Sequence, residues 1–246
     1  MLLALTLSDL RARYGRGPWQ LAKWLLDPFA VVGVYLLLVT FVLDRPGSAP
    51  GLSLACAVVP FQLVMSTLIN AMGAVDTRRA IILNMRFPRA LIPASALLTE
   101  AVAFGGSLVL LPLMMAAYGV GPTGSILWLP FVLAANLVFA LGLAYPASLF
   151  GLWFRDLRIL AISLVRAAFF LAAGLVALSE IPGRTGELVR LNPLTGIFES
   201  YRDVLLFQQR PAAWELLYPL LVGLVLLAVF IPLYGREQQH FAKVLE

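Results

Sequence analysis

An all-α protein that crosses a membrane six times is the fold class three observations predict. Hydrophobic residues make up 61% of the 246-residue chain and charged residues 13%, against roughly 45–50% and about 25% in soluble domains. Mean hydropathy is +0.91. The apolar residues are gathered into six runs, each near the ~20 residues that a helix needs to cross the hydrocarbon core.

The expected spans are 28–43, 52–75, 91–118, 126–153, 159–178 and 214–234. Asp27 can cap the first, and Pro28 sits at a first-turn position where a missing N–H costs nothing. Pro60, Pro112, Pro130, Pro146 and Pro219 fall inside spans. Membrane helices tolerate prolines when neighbouring helices satisfy the freed carbonyls, and kinking is the simplest consequence. The sequence reads as one membrane domain over 1–246: an interfacial helix (1–27), a six-span bundle (28–234) and a cytoplasmic tail (235–246). There is no internal repeat, and the short apolar start followed by basic residues is unlike a cleavable signal.

Lysine and arginine set the orientation. Thirteen of the 18 lie in the N-terminal segment, around the loops after spans two and four, and in the tail. Five lie in the other loops, so both termini are expected in the cytoplasm. The net charge of +5 is thereby assigned to topology and anionic lipid rather than to nucleic acid. Cys56 is the single cysteine, which excludes an intrachain disulfide. The P-loop pattern is absent, so no ATP site of that type is expected. His240, in the tail, is the single histidine; neither a metal cluster nor a nucleophile–base pair is expected.

Three segments between or before the spans carry organised patterns. In 6–26, Thr6 and Asp9 can start a helix, Gly15, Gly17 and Pro18 break it, and Trp19 and Trp24 flank Lys23. With Arg11, Arg13 and Tyr14, this predicts an amphipathic helix on the inner leaflet. It serves as a topological anchor or as a cuff around a lateral entrance for a lipid-linked substrate. In the loop after the second span, Asp76 can cap a short helix with Ile81, Ile82 and Met85 on one face and Arg78, Arg79 and Arg86 adding charge. Phe87, Pro88 and Arg89 follow, and Pro88 ends the helix. This piece either lies on lipid or forms a knob for a groove on a cytoplasmic partner. The third, 179–211, runs to roughly 33 residues, beyond the ~12–15 of structureless loops. Two half-helical patterns flank Asn192-Pro193; Phe198, Tyr201 and Leu205 share a face, and Glu199 can pair with Arg202 at i,i+3. Two short helices dipping into the outer leaflet, or a surface cap, fit this pattern.

Within the spans, Glu100 and Arg166 are ionisable residues of the kind that often serve function, although both lie near enough to the inner interface to snorkel. Asn70 and Asn136 suit bonds across helices. Tyr35, Phe41, Phe61, Tyr145, Phe169 and Phe170 are candidates to line a charge-poor, aromatic substrate path for a neutral glycan, with packing or lipid contact as the alternative.

Four blocks in order give the chain a family resemblance. The first is Asp9-Leu10-Arg11-Ala12-Arg13-Tyr14 with Trp24-Leu25-Leu26-Asp27-Pro28; the second is Phe87-Pro88-Arg89 with Pro93. The third is Phe154-Arg155-Asp156-Leu157, and the fourth Leu191-Asn192-Pro193-Leu194 with Tyr201-Arg202. They resemble, over nearly the whole length, the membrane subunits of ABC-2 type exporters, of the branch that moves polysaccharides. The resemblance implies a homodimer with two copies of a cytoplasmic ABC ATPase that binds ATP and Mg, and no cofactor in this chain. The helix from Asp76 to Arg89, including Ile82, Met85 and Arg86, would be a coupling helix on that ATPase. The substrate would be a polyprenyl-linked glycan such as O-antigen, teichoic acid or a galactan precursor, crossing a bacterial inner membrane. Asn192, Pro193, Phe198, Tyr201 and Arg202 would belong to an external gate with re-entrant helices between spans five and six. One departure is Leu171-Ala172-Ala173-Gly174, where relatives often carry Ser-Pro. An exporter of a drug, haem or simple lipid is the alternative within the class. A scaffold or an integral lipid-modifying enzyme is the alternative outside it.

Overall fold

The computed structural model describes residues 2–14, 29–34, 37, 49–85, 87–238 and 241, and every regular element among them is helical. Helix α1 spans Leu2–Tyr14. It begins before Thr6, whose hydroxyl donates to the Leu2 carbonyl inside the first turns rather than capping them. Nor is it cleanly amphipathic. Leu5 is buried, while Leu3 and Leu7 are exposed on other faces.

Four helical stretches are long and apolar enough to cross a membrane: Pro50–Thr77, Leu91–Ala117, Gly124–Trp153 and Ala213–Glu237. They coincide with the expected second, third, fourth and sixth spans. The expected first span falls largely outside the described residues, of which 29–34 and 37 are helical.

Helix α2 (Pro50–Thr77) is the centre of the bundle. Ala49 in the left-handed region and Pro50 in the first turn start it, and the Tyr118 hydroxyl accepts from the Gly51 N–H at 3.1 Å. The short helix α3 (Arg79–Asn84) follows. The third span divides into α4 (Leu91–Ser107) and α5 (Leu110–Ala117). Pro112 explains the division: it has no N–H for the Leu108 carbonyl, and its ring crowds that carbonyl. A 3-10 turn, Gly124–Trp128, leads into α6 (Leu129–Trp153).

Helix α6 packs along α2 and along the last helix, α10 (Ala213–Glu237). Glycine permits both contacts. A Cβ on Gly142 would lie 2.5 Å from the Gly223 carbonyl oxygen, and one on Gly151 would lie 2.1 Å from that of Met72. Small residues at crossings let membrane helices approach until their backbones touch.

The expected fifth span is helical only as α7 (Arg158–Phe170). Beyond it the chain turns: Ala173 takes φ of 52°, and the Gly174 N–H reaches back to the Phe169 carbonyl. Helices α8 (Gly183–Arg190) and α9 (Pro193–Leu205) follow. Helix α9 does not lie on a surface. Every residue from Leu194 to Leu205 is buried, beneath α2, α6 and α10.

Candidate functional site

Two polar assemblies occupy opposite ends of α2. Ser53 belongs to one and Asp76 to the other, about 35 Å apart at 1.5 Å per helical residue.

At the Asp76 end, the expected capping role is not what the structure shows. Asp76 sits in the last turn of α2, and α3 begins behind Arg78 without a side-chain cap. The Asp76 carboxylate instead binds Arg155 at 2.9 Å and Arg158. Arg155 opens the 3-10 turn Arg155–Leu157 that joins α6 to α7, and Arg158 follows it. Arg158 also donates from Nε to the Gly151 carbonyl at 2.7 Å. One carboxylate thus ties the end of α2 to the start of α7.

Arg78 is turned inward as well. It is buried and bonds Asp9 of α1, the Ala74 carbonyl and the Ser95 hydroxyl. Burial raises the Asp9 carboxyl above its usual value of 3.8, outweighing the opposing charge and hydrogen bond of Arg78. A cavity of about 300 Å³ beside this pair is lined by Asn70, Thr77 and Thr99 among others. Asn70 donates to the buried Glu100, the cross-helix role expected of it.

Helix α3 ends at Asn84, before Pro88, because Met85 is already extended (φ −130°, ψ 138°). Ile82 is buried and Met85 exposed, so the residues read as one face divide between core and surface. Met85, Phe87, Pro88 and Arg89, with Leu83 and Gln238, border an open groove of about 710 Å³. Arg89 donates to Gln238 from its backbone and its guanidinium, fastening the groove to the end of α10. Arg79 is exposed at the start of α3. Arg86 lies outside the described residues, as do Trp19, Lys23, Trp24, Tyr35 and Phe41; Arg11, Arg13 and Tyr14 lie in the final turn and a half of α1.

At the Ser53 end, the Asn192–Arg202 block is brought together as one unit. Asn192 caps α9, its side chain accepting from the Leu194 N–H at 3.1 Å, and Pro193 fills the first turn. Phe198 and Tyr201 are fully buried, and the Asn136 amide of α6 reaches the Tyr201 hydroxyl at 3.5 Å. Arg202 has no exposed surface. Its guanidinium donates to the Ala173 carbonyl at 2.9 Å, the Gly174 carbonyl at 3.2 Å and Glu199 at 2.6 Å. It also reaches the carbonyl and hydroxyl of Ser53 at 3.3 and 3.1 Å. Glu199 accepts in turn from the Leu178 N–H at 3.1 Å. The carbonyls freed where the fifth segment leaves its helix are thus taken by a fixed planar donor set.

The aromatic candidates separate. Phe61 and Phe169 pack at 5.1 Å between ring centroids, with Phe198 at 6.3 and 5.8 Å from them and Phe170 at 5.5 Å from Phe169. Of this group Phe170 is exposed, while Phe61 and Phe169 are buried. Tyr145 is elsewhere: it packs on Tyr234 at 5.6 Å and donates to the Ala90 carbonyl at 3.1 Å. It holds the segment after α3 against the bundle and is not continuous with the other rings.

These observations define a polytopic helical membrane protein with a polar junction at one end and a buried arginine clamp at the other. No family model matches the chain. The chain is 28% identical over 246 residues to the O-antigen export system permease protein RfbA of Myxococcus xanthus, covering 99% of this chain and 94% of that protein. Two proteins of the same name from Klebsiella pneumoniae are 25% and 26% identical over 251 residues, each alignment covering 100% of this chain and 95% of the relative. The resemblance to ABC-2 type permeases carried by the four blocks is borne out by these full-length relatives.

Proposed function

We propose that this chain is the permease subunit of an ATP-driven exporter that moves a polyprenyl-linked polysaccharide across a bacterial inner membrane. The observation that carries the reading is full-length similarity to permeases named for O-antigen export. The four long apolar helices support a multi-pass protein. The reading adds a first and a fifth crossing, with both termini in the cytoplasm on the distribution of lysine and arginine. Two copies pair with two ATPase subunits, which supply ATP and Mg chemistry that this chain has no motif for.

The groove formed by Leu83, Met85, Phe87, Pro88 and Arg89 faces the ATPase in this account. Motion there reaches the transmembrane helices through Arg89–Gln238 to α10 and through Asp76–Arg155 and Asp76–Arg158 to α7. Helix α9 and its Arg202 clamp form the exit side, where release of the 171–175 segment opens the path. The test is Phe87→Ala with Met85→Ala in the reconstituted complex. ATP hydrolysis should continue while glycan export falls about tenfold or more. Unchanged export at normal expression would remove the coupling role from this groove.

A further inference from the structure

Arg166, the second arginine of α7, is exposed. Arg166 lies eight residues past Arg158, about 12 Å further along the helix. That is longer than an arginine side chain, so Arg166 does not share the Asp76 junction. Phe170, one turn further along, lies exposed on the same face of α7. Among the described residues, no carboxylate pairs with it. A cation at this depth in a helix is costly unless an anion or water meets it.

Arg166 borders a cavity of about 330 Å³ whose other walls include Val58, Phe61, Met65, Phe169 and Phe170. The volume is at the lower limit of the ~300–1,000 Å³ typical of ligand pockets. It admits a headgroup or a single ring and excludes a polymer. The walls, apolar but for Gln62, suit an alkyl or isoprenoid stem, and the guanidinium fork suits phosphate oxygens two at a time.

We propose that Arg166 and the Phe61–Phe170 cavity form a binding site for the phosphate or diphosphate head of a polyprenyl lipid. The site deepens the exporter reading and rests on it for the identity of the lipid. It assigns Arg166 to recognising the carrier's head, a role distinct from the sugar-facing path first expected of these aromatics.

The test is a titration of the full-length chain in phosphatidylcholine nanodiscs with undecaprenyl diphosphate, read by microscale thermophoresis. Undecaprenol, inorganic pyrophosphate and phosphatidylglycerol are the comparison ligands. Undecaprenyl diphosphate should bind, and Arg166→Gln should weaken it roughly tenfold or more, the scale of a lost charge-assisted hydrogen bond. Arg166→Lys should fall between, and all three proteins should share one thermal midpoint, because the side chain is exposed. Equal binding by wild type and Arg166→Gln overturns the proposal, as does no binding by wild type. Equally tight binding of pyrophosphate or phosphatidylglycerol also overturns it, because the site would then not read a polyprenyl carrier. Because binding is measured without the ATPase, Arg166-dependent binding alongside a complex that exports nothing would sink the exporter reading and leave the site standing.

Discussion

Arg202→Met is the perturbation with the most consequences written into the structure. The methionine fills much of the same volume but donates no hydrogen bond. Five acceptors lose their donor: both Ser53 oxygens, the Ala173 and Gly174 carbonyls, and Glu199. Removing one partner of a buried ion pair costs about 3–5 kcal/mol, chiefly through the charge left behind. The lower figure is the better expectation here, since interhelical hydrogen bonds in a bilayer average only about 0.6 kcal/mol each. A local loss of about 3 kcal/mol raises the open population of the 171–178 segment roughly a hundredfold. Cys56 reports that opening, because it is the chain's one cysteine and is fully buried in α2. The assay is the rate of maleimide labelling in membranes, which should rise about a hundredfold in Arg202→Met. Adding Glu199→Gln should recover part of the loss by removing the unpaired charge. Labelling at the wild-type rate, or a double variant no better than the single, would refute the reasoning.

Three further outcomes are expected. Gly151→Val should lower the thermal midpoint in detergent and the yield of folded protein, because its Cβ would meet the Met72 carbonyl at 2.1 Å; overpacking of this kind costs about 1–3 kcal/mol or more. Asp76→Asn should cost little stability, on the order of 1 kcal/mol for a partly exposed pair, yet reduce export per ATP hydrolysed; a matched ratio to wild type would count against the junction. For Asp9, the raised carboxyl value means that the charged form is the disfavoured one in the docked helix. Docking of α1 is therefore strongest below the usual value of 3.8 and weakens as pH rises through the raised value. Protection of 2–14 from proteolysis should fall over that window, and Asp9→Asn should abolish the slope.

The four long helices were legible because a run of about 20 apolar residues has few other destinations. The Asn192-Pro193 start of α9 was legible for a local reason as well: capping and first-turn chemistry depend on adjacent residues. What lay beyond reach was long-range pairing. Asp76 read as a cap because capping is local, but its partners are 79 and 82 residues further along. Glu199 and Arg202 read as an i,i+3 pair on a helix dipping into the outer leaflet or lying as a surface cap. The pair exists, but α9 is buried on both its apolar and polar faces, since the unwound 171–175 segment supplies carbonyls for the polar one. Composition alone did not mark that unwinding, because Leu171-Ala172-Ala173-Gly174 is apolar enough to continue a span. The aromatic candidates show the same limit: the residue type is visible in sequence, while the separation of Tyr145 from the Phe61 cluster is a property of packing.

The central claim is that this chain is the membrane half of an ATP-driven exporter. Purification from native membranes in mild detergent, followed by the mass of the intact complex, tests it most directly. The account predicts two copies of this chain with two P-loop ATPase subunits, together with retained mass from a lipid-linked glycan. A stable assembly of this chain lacking any ATPase would contradict it.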